Sequence, residues 1–479
     1  MAFQNLREFI EHLDQTGELK RIQQCVDPHL EMTEILSRVV KRDGPALLFQ
    51  NVKNSRIPVF ANGFGSHKRI RMALGVERLG EITEHFLALL DPGTPKGLLD
   101  KLKLLPRLKD LHDILPARVR SAPCQEVHLP APSFQPFPIL QCWPQDGGPY
   151  ITLPMVFTRD PDSGIQNCGM YRMQIYDDQT SGMHWHVHKG GAEHFRKYGA
   201  RRQQMPVSVA VGCDPAVVFS AAVPLPPDFD EMLFAGILRR QPVPMVKCLT
   251  NDLYVPAEAE IVFEGYVDPD EQRLEGPFGD HTGYYSLPDY YPVFHLTTVT
   301  HRRDPIYHAT VVGRPPMEDC FWGEAIGELF LPLIQKQLPE LVDLHMPFAG
   351  VFHNLLLVTI RKAYPGHARK VMHALWGMGQ AMFSKVIVVL DEGVNLRDYN
   401  EVAWRALNNI DPRRDMEFVS GPVDALDHAS QLPHLGSKVG IDATKKWASE
   451  GFLRPWPDEI QMSDDVRKRI DQLWDGLGL

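Results

Sequence analysis

The sequence predicts a multidomain α+β protein, and three observations carry that expectation. The chain has 479 residues, more than one core usually serves and enough for roughly two to four domains of about 150 residues each. From Thr152 to about Pro315 the apolar residues recur with period two in many short runs, the pattern of a barrel or sandwich. On either side, strand-like runs alternate with amphipathic helical segments. The 44% hydrophobic and 23% charged content supports a packed core and excludes a disordered chain. A net charge of −10 argues against nucleic acid as the main partner. The 40 prolines and 36 glycines, without a fibrous repeat, point to many loops.

The chain opens with a helix. Asn5 is its cap, Glu8 stands at capping-box spacing, and Leu6, Phe9, Ile10 and Leu13 form one apolar stripe ahead of Gly17. Strands are expected at 46–49 and 59–61, and helices at 70–74 and 79–90, so residues 1–120 read as an α+β domain. Between Ala122 and Tyr150 there are seven prolines, which make an extended strap or boundary. Strands are then expected at 170–176, 183–188, 207–211, 245–249, 260–265, 293–299 and 306–312, with a helix at 230–238. Residues 121–318 form this central domain. From 319 to 479 a helix at 321–338, a strand at 354–360, a helix at 366–377 and a strand at 385–390 predict an α/β domain. The strand at 385–390 is apolar after its lysine, as a strand buried on both faces would be. A tail helix at 463–477 carries Val466, Ile470, Leu473 and Leu477 on one face. That stripe is expected to dock on its own domain, with a second subunit as the alternative.

Compartment follows from what is missing. The seven cysteines are dispersed and include no CxxC pair, which fits a reduced cytoplasmic protein better than a disulfide scaffold. Charged residues interrupt the first 13 positions, so no signal peptide is expected, and no apolar window of about 18 residues predicts a membrane span. Peripheral contact with the inner membrane stays open.

Two segments carry candidate chemistry. In the first, an extended strand would put His184, His186 and His188 on one face, either as a metal-binding set or as a polar strand surface. In the second, Glu275-Gly-Pro-Phe-Gly-Asp280 is a tight turn that could hold two carboxylates close together with split pKa values, or simply a solvated acidic loop. Tyr284, Tyr285, Tyr290 and Tyr291 could wall an arene pocket or fill core. There is no GxxxxGK[ST] loop, GxSxG elbow or HExxH helix.

Taken together, several of these segments resemble the UbiD family of decarboxylases. They are Asn167-x-x-x-Tyr171-Arg172, Met183-His-Trp185 with His188-Lys-Gly-Gly191, Lys247-Cys-Leu-Thr-Asn-Asp252, Glu260-Ile-Val-Phe-Glu-Gly265, Glu275-Gly-Pro-Phe-Gly-Asp-His-Thr-Gly-Tyr-Tyr285, Gly313-Arg-Pro-Pro316, Gly436-Ser-Lys-Val-Gly440 and Ile441-Asp-Ala-Thr-Lys-Lys-Trp447. The similarity runs from about residue 3 to 475. It implies a central split β-barrel of flavin-reductase type, and prenylated FMN as cofactor beside a divalent metal. Manganese is the expected ion and potassium a further candidate. It also implies a flavin prenyltransferase as supplier of the cofactor, and a dimer or hexamer built through the C-terminal domain.

The resemblance implies roles for individual residues. Arg172 would contact flavin and substrate carboxylate. Glu275 and Asp280 would be the two acids of a Glu–Arg–acid network, with Asp280 as proton donor. Asn167 and Glu231 would hold the metal, and Met170, Tyr171, Arg172, His184, Trp185, His186, Lys189 and Gly190 would line the cofactor. His188 could be a further metal ligand. Losing CO2 from an arene leaves a carbanion that no side chain can delocalise, so a cofactor electron sink is required. The activity that the resemblance implies is reversible, non-oxidative decarboxylation of an aromatic or α,β-unsaturated acid, and an aromatic acid is the expectation here. The pattern favours 4-hydroxy-3-polyprenylbenzoate in ubiquinone biosynthesis. A small hydroxybenzoate, a heteroaromatic acid and a menaquinone-pathway intermediate are the alternatives. A non-catalytic modified-flavin carrier and a flavin-independent metal hydrolase are the readings from other classes. For the donor role, burial of Asp280 has to raise its pKa against the pull of Arg172.

Overall fold

The structure is a computed structural model, and it describes residues 2–90, 113–186, 189–226 and 229–478. The first helix, Leu6–Gln15, forms as its pattern requires. Asn5 accepts from the backbone N–H groups of Arg7 and Glu8, and the four apolar residues of the stripe are buried. The Glu8 carboxylate accepts from Gln4 at 2.8 Å, one residue before the position a standard capping box uses. Strands Leu19–Ile22, Ala46–Phe49 and Val59–Ala61 make a small sheet, which Tyr307–His308 completes from far along the chain.

The central segment builds an antiparallel sheet in the order Thr180–Gly182, Asp289–His301, Ile261–Glu275, Met205–Val211, Met155–Arg159, Gln166–Met170. Val127–Leu129, from the proline-rich strap, pairs with Asp289–His301. The two long strands run together from Ile261↔His301 to Glu275↔Asp289, with register shifts at Glu264/Gly265 and Val267/Gln272. Such irregularities bend and twist a ladder. They let a single hairpin belong to the core at one end and deliver Glu275 to the site at the other.

In the C-terminal segment the sheet order is Leu341–His345, Leu355–Ile360, Val386–Asp391, Leu435–Asp442, Met416–Pro422, with the three central strands parallel. Helix Glu318–Gln337 leads into it and His367–Trp376 packs on it. The chain is thus a mixed α+β protein of several sheets, as its patterning predicts. The N-terminal and central segments share one core, in which Leu6, Phe9 and Phe60 join Phe157, Val217 and Phe234.

Several expectations differ from the structure. Residues 183–186 form no strand, and 187–188 lie outside the described residues, so the expectation for His188 cannot be placed. The run 306–312 yields only Tyr307–His308 as strand, and beyond it Ala309 N donates to Phe60 O and Thr310 N to Thr152 Oγ1. Helices at Gly190–Arg201 and Pro215–Ser220 stand where none is expected. The tail helix Asp464–Leu473 is present but undocked within the chain. Val466, Ile470 and Leu473 are each about two-fifths exposed or more (41%, 39% and 47%).

Phe9 is fully buried and meets Phe60 edge-on and Phe64 at 6.2 Å. Phe9→Ala is expected to lower stability by about 3–5 kcal/mol, read from chemical denaturation of the apoprotein.

Candidate active site

The site is organised around one cation. Arg172 lies just past strand Gln166–Met170 and is buried. Its Nε donates to Glu275 Oε1 at 2.8 Å and its Nη2 to Glu275 Oε2 at 3.0 Å, a bidentate pair. Its Nη1 donates to Asp280 Oδ2, and Nη2 also reaches Ser286 Oγ at 3.0 Å. The guanidinium sits 4.5 Å from the centre of the Phe278 ring. Every side of the fork is therefore occupied by acid, hydroxyl or aromatic face.

The turn between the two acids is held by residues the motif does not contain. Asp146 Oδ1 accepts from Gly279 N at 2.8 Å, while its Oδ2 accepts from Cys142 N and Trp143 N. Gln174 Oε1 accepts from Gly276 N at 2.7 Å. Gly276 has φ +98°, and a Cβ on Gly279 would sit 2.1 Å from Trp143. The first needs the left-handed region and the second a close approach, so glycine is required at both. Asp146 and Gln174 escape sequence reading because each is a single polar residue far from the motif. A carboxylate two residues after Pro144 is the only signal, and it is a weak one.

Two acids share one guanidinium, and this settles their charge. Burial pushes Glu275 up, but Arg172 and a hydrogen bond from His184 overcome it and hold its pKa at about 2. Burial likewise pushes Asp280 up, and His281 and Arg172 together hold it well below the usual carboxylate range. The expectation that burial keeps one acid protonated is therefore corrected for this resting arrangement. The acids are not left facing each other, because Arg172 lies between them and His281 adds a second donor to Asp280.

The histidine pair also finds partners. His184 Nδ1 lies 3.1 Å from Glu275 Oε2, and His184 Nε2 is 2.8 Å from His186 Nε2. Burial, His184 and Arg172 keep His186 low, at about 3. These imidazoles converge as period two predicts, on each other and on Glu275. Trp185 points elsewhere, with its indole N–H buried and unpartnered beside Gly191. Of the four tyrosines, Tyr291 packs 4.2 Å from His184, whereas Tyr284 and Tyr290 are exposed.

A cavity of about 740 Å³ adjoins this network. Met170, Tyr171, Lys189, Gly190, Asn167 and Glu231 line it, and His281 and Asp319 stand at its inner side. Asn167 Nδ2 donates to Glu231 Oε1 at 2.9 Å, and Cys168 N donates to Glu231 Oε2 at 2.8 Å. Helix Glu231–Arg239 starts at this acid, capped by Asp230. Burial lifts Glu231 to about 7, and its hydrogen bonds do not offset it. Asn167 Oδ1 is buried with no hydrogen-bond partner among the described residues, and a Cβ on Gly190 would lie 2.1 Å from it. One orphaned oxygen and one poorly compensated carboxylate, cradled by a glycine, fit a cation. Among the described residues, no set of three or more His, Cys, Asp or Glu is arranged to hold a metal. The structure thus gathers the predicted residues into two adjoining groups: Arg172, Glu275, Asp280, His184 and His186 in one, and Asn167, Glu231, Lys189 and Gly190 along the cavity in the other.

Comparison with known proteins follows this geometry. Residues 10–87, 117–315 and 320–443 match the N-terminal, Rift-related and C-terminal domains of 3-octaprenyl-4-hydroxybenzoate carboxy-lyase. The chain belongs to the UbiD family. An uncharacterised protein of Archaeoglobus fulgidus is 50% identical over 479 residues, covering 100% of this chain and 99% of the relative. Vanillic acid decarboxylase of Sedimentibacter hydroxybenzoicus in its closed form aligns with TM-score 0.85 and 26% identity over 100% of this chain and 99% of its own. An evolved dimeric form of the UbiD-class enzyme HmfF of Pelotomaculum thermopropionicum, in complex with prFMN, aligns with TM-score 0.78 and 27% identity over 97% and 98%. The protein is a carboxy-lyase of this family of aromatic acid decarboxylases. Among the described residues no helix is long and apolar enough to cross a membrane.

The raised Glu231 has a measurable consequence. Its folded pKa, about 7, lies above the ordinary carboxylate value of 4.5. The folded state therefore binds the extra proton between those values, and stability falls as pH rises through that window. Glu231→Gln is expected to stabilise the apoprotein above about pH 7 and to leave it unchanged near pH 4, read from thermal melts at both pH values.

Proposed function

We propose that the protein decarboxylates an aromatic carboxylic acid reversibly on prenylated FMN. The observation that carries this reading is the buried Arg172 fork, held between Glu275 and Asp280 beside a cavity. The cofactor, when bound, supplies the electron sink that ring decarboxylation needs. Asn167 and Glu231 would hold a divalent ion, which would offset the charge of the cofactor phosphate, with manganese the expected metal and potassium a further ion. Lys189, Gly190, Met170, Tyr171, Trp185, His184 and His186 line the rest. A flavin prenyltransferase supplies the cofactor.

In this reading Arg172 orients the departing carboxylate, and Glu275 fixes the fork and offsets its charge. Asp280 faces Arg172 from the other side and returns a proton to the ring carbon. The favoured substrate is 4-hydroxy-3-polyprenylbenzoate, on the strength of the motifs. A small hydroxybenzoate is the second reading, supported by the similarity to a vanillic acid decarboxylase. The domain division at about 120 and 318 and a cytoplasmic site of action belong to the same proposal. So does assembly through the C-terminal segment, for which the exposed stripe of the tail helix is the support.

Three experiments test it. The protein co-expressed with a flavin prenyltransferase is expected to release CO2 from one of vanillate, 4-hydroxybenzoate or 4-hydroxy-3-prenylbenzoate. Asp280→Asn should abolish turnover, by about 100-fold or more, with flavin absorbance kept. Unchanged turnover in that variant removes Asp280 from the donor role. Deleting residues 463–479 should reduce the assembly to smaller species by light scattering without lowering the melting temperature of the single chain.

A further inference from the structure

Asp280 serves two donors at once. Its Oδ2 faces Arg172, while its Oδ1 accepts from the His281 backbone N–H at 2.7 Å and lies 2.9 Å from His281 Nδ1. The other ring nitrogen of His281, Nε2, is 3.2 Å from Nε2 of His353. His353 Nε2 in turn lies 3.8 Å from Asp424 Oδ1. A half-buried imidazole of the central segment is thus bridged between the acid it adjoins and an imidazole of the C-terminal segment.

The backbone that presents His353 is strained. Val351 and Phe352 take φ values of +44° and +68°, in the left-handed region that β-branched and aromatic residues avoid. Such strain persists where the surroundings overdetermine it, and it clusters at functional sites. The surroundings here are specific. The Phe352 ring packs 5.3 Å from the His281 ring. Helix Glu318–Gln337 has Gly323 beneath Phe352, where a Cβ would come within 2.2 Å of the ring. His353 N also closes a tight turn onto Val351 O at 2.9 Å. Sequence and backbone both yield so that Phe352 and His353 can seat against His281.

We propose that His281 stores the proton that Asp280 passes to the product carbon, and that the turn at 351–353 holds its ring in the donating orientation. This rests on the decarboxylase reading above. His281 acts through Asp280 and is a positioning residue, since it stands behind the acid that meets the substrate. The balance is simple. Departure of CO2 leaves an electron pair on the ring carbon, and one proton completes the arene. That proton moves from His281 Nδ1 to the Asp280 carboxylate and from there to carbon. One proton from solvent, admitted through the cavity that His281 lines, restores the imidazolium.

The groups around the ring agree with this placement. Burial opposes the imidazolium, but Asp280, Asp319 and Asp424 all favour it, and the net shift of His281 is upward. His353 is held at about 4, chiefly by burial, so at neutral pH it is uncharged and can accept the His281 Nε2–H. Asp280 is held low, so the resting proton of the pair sits on His281. This recovers the proton that Asp280 by itself does not keep.

Two measurements test the proposal. In the apoprotein, His281 should titrate by NMR above the ordinary histidine value, and Asp280→Asn should lower its pKa. A His281 that titrates at or below the ordinary value overturns the storage role whether or not a substrate is known. In the flavin-loaded enzyme, with vanillate, 4-hydroxybenzoate and 4-hydroxy-3-prenylbenzoate as probes, His281→Gln should lower kcat about 100-fold and remove the alkaline limb of its pH profile. KM and flavin absorbance should stay near wild type. His353→Leu removes an acceptor of the imidazolium, so its alkaline limb should move to lower pH. A wild-type limb in both flavin-loaded variants overturns the proposal while the decarboxylase reading stands. A loaded wild type that turns over none of the three acids counts against that reading, and the NMR result then decides the proton-storage role by itself.

Discussion

A guanidinium taken out of water is costly unless every face finds a partner. Arg172 is that group here, and the surrounding structure is arranged to compensate it. Glu275 arrives on the far end of a long bent strand and meets the fork in bidentate geometry. Asp280 and Ser286 come from the turn and short hairpin that follow, and Phe278 offers its ring face. Removing Glu275 would strip the guanidinium of its bidentate partner, so the site is held together by electrostatic compensation as well as by packing.

That compensation has a chemical consequence. An arginine that satisfies two acids also lowers both their pKa values, and His281 lowers Asp280 further. The arrangement suits an enzyme whose arginine must exchange one carboxylate partner for another, since a substrate carboxylate can compete for a donor that already points at acids. It also separates two tasks. Glu275 is locked on by Arg172 and His184, whereas Asp280 is linked outward through His281 to His353. The C-terminal segment thereby reaches the Asp280 carboxylate through hydrogen bonds, and in the proposed reading its seating bears on the chemistry.

The cavity group obeys a different rule. Around Glu231 burial goes largely uncompensated, and its carboxylate rises to about 7. Asn167 leaves an oxygen with no donor among the described residues. Arg172, its two acids and a His281 imidazolium sum to zero charge, whereas the buried Glu231 beside Asn167 has no cationic side chain among its hydrogen-bond partners and is balanced by a proton or a cation. In the proposed reading the first cluster orients a substrate and the second retains a cofactor phosphate.

Much of this was legible from residue order. The first helix, the strands at 46–49 and 59–61, and the buried strand near 386–391 follow from local apolar periodicity, which is a property of neighbouring residues. The acids of the 275–280 turn could be named from the residues themselves, and Arg172 from the family resemblance. Tertiary structure decided the rest. Residues 183–186 alternate like a strand, yet with no ladder partner they stay irregular so that His184 can meet Glu275. Asp146 and Gln174 pin the turn from positions more than a hundred residues away. His281 gains its meaning only from His353, 72 positions later. The apolar stripe of the tail is legible as a stripe, but that it remains uncovered within one chain is a fact of packing. Local pattern determines which residues can form an element and carry charge. Which charges face one another, and hence where a proton rests, depends on distances that only the folded chain sets.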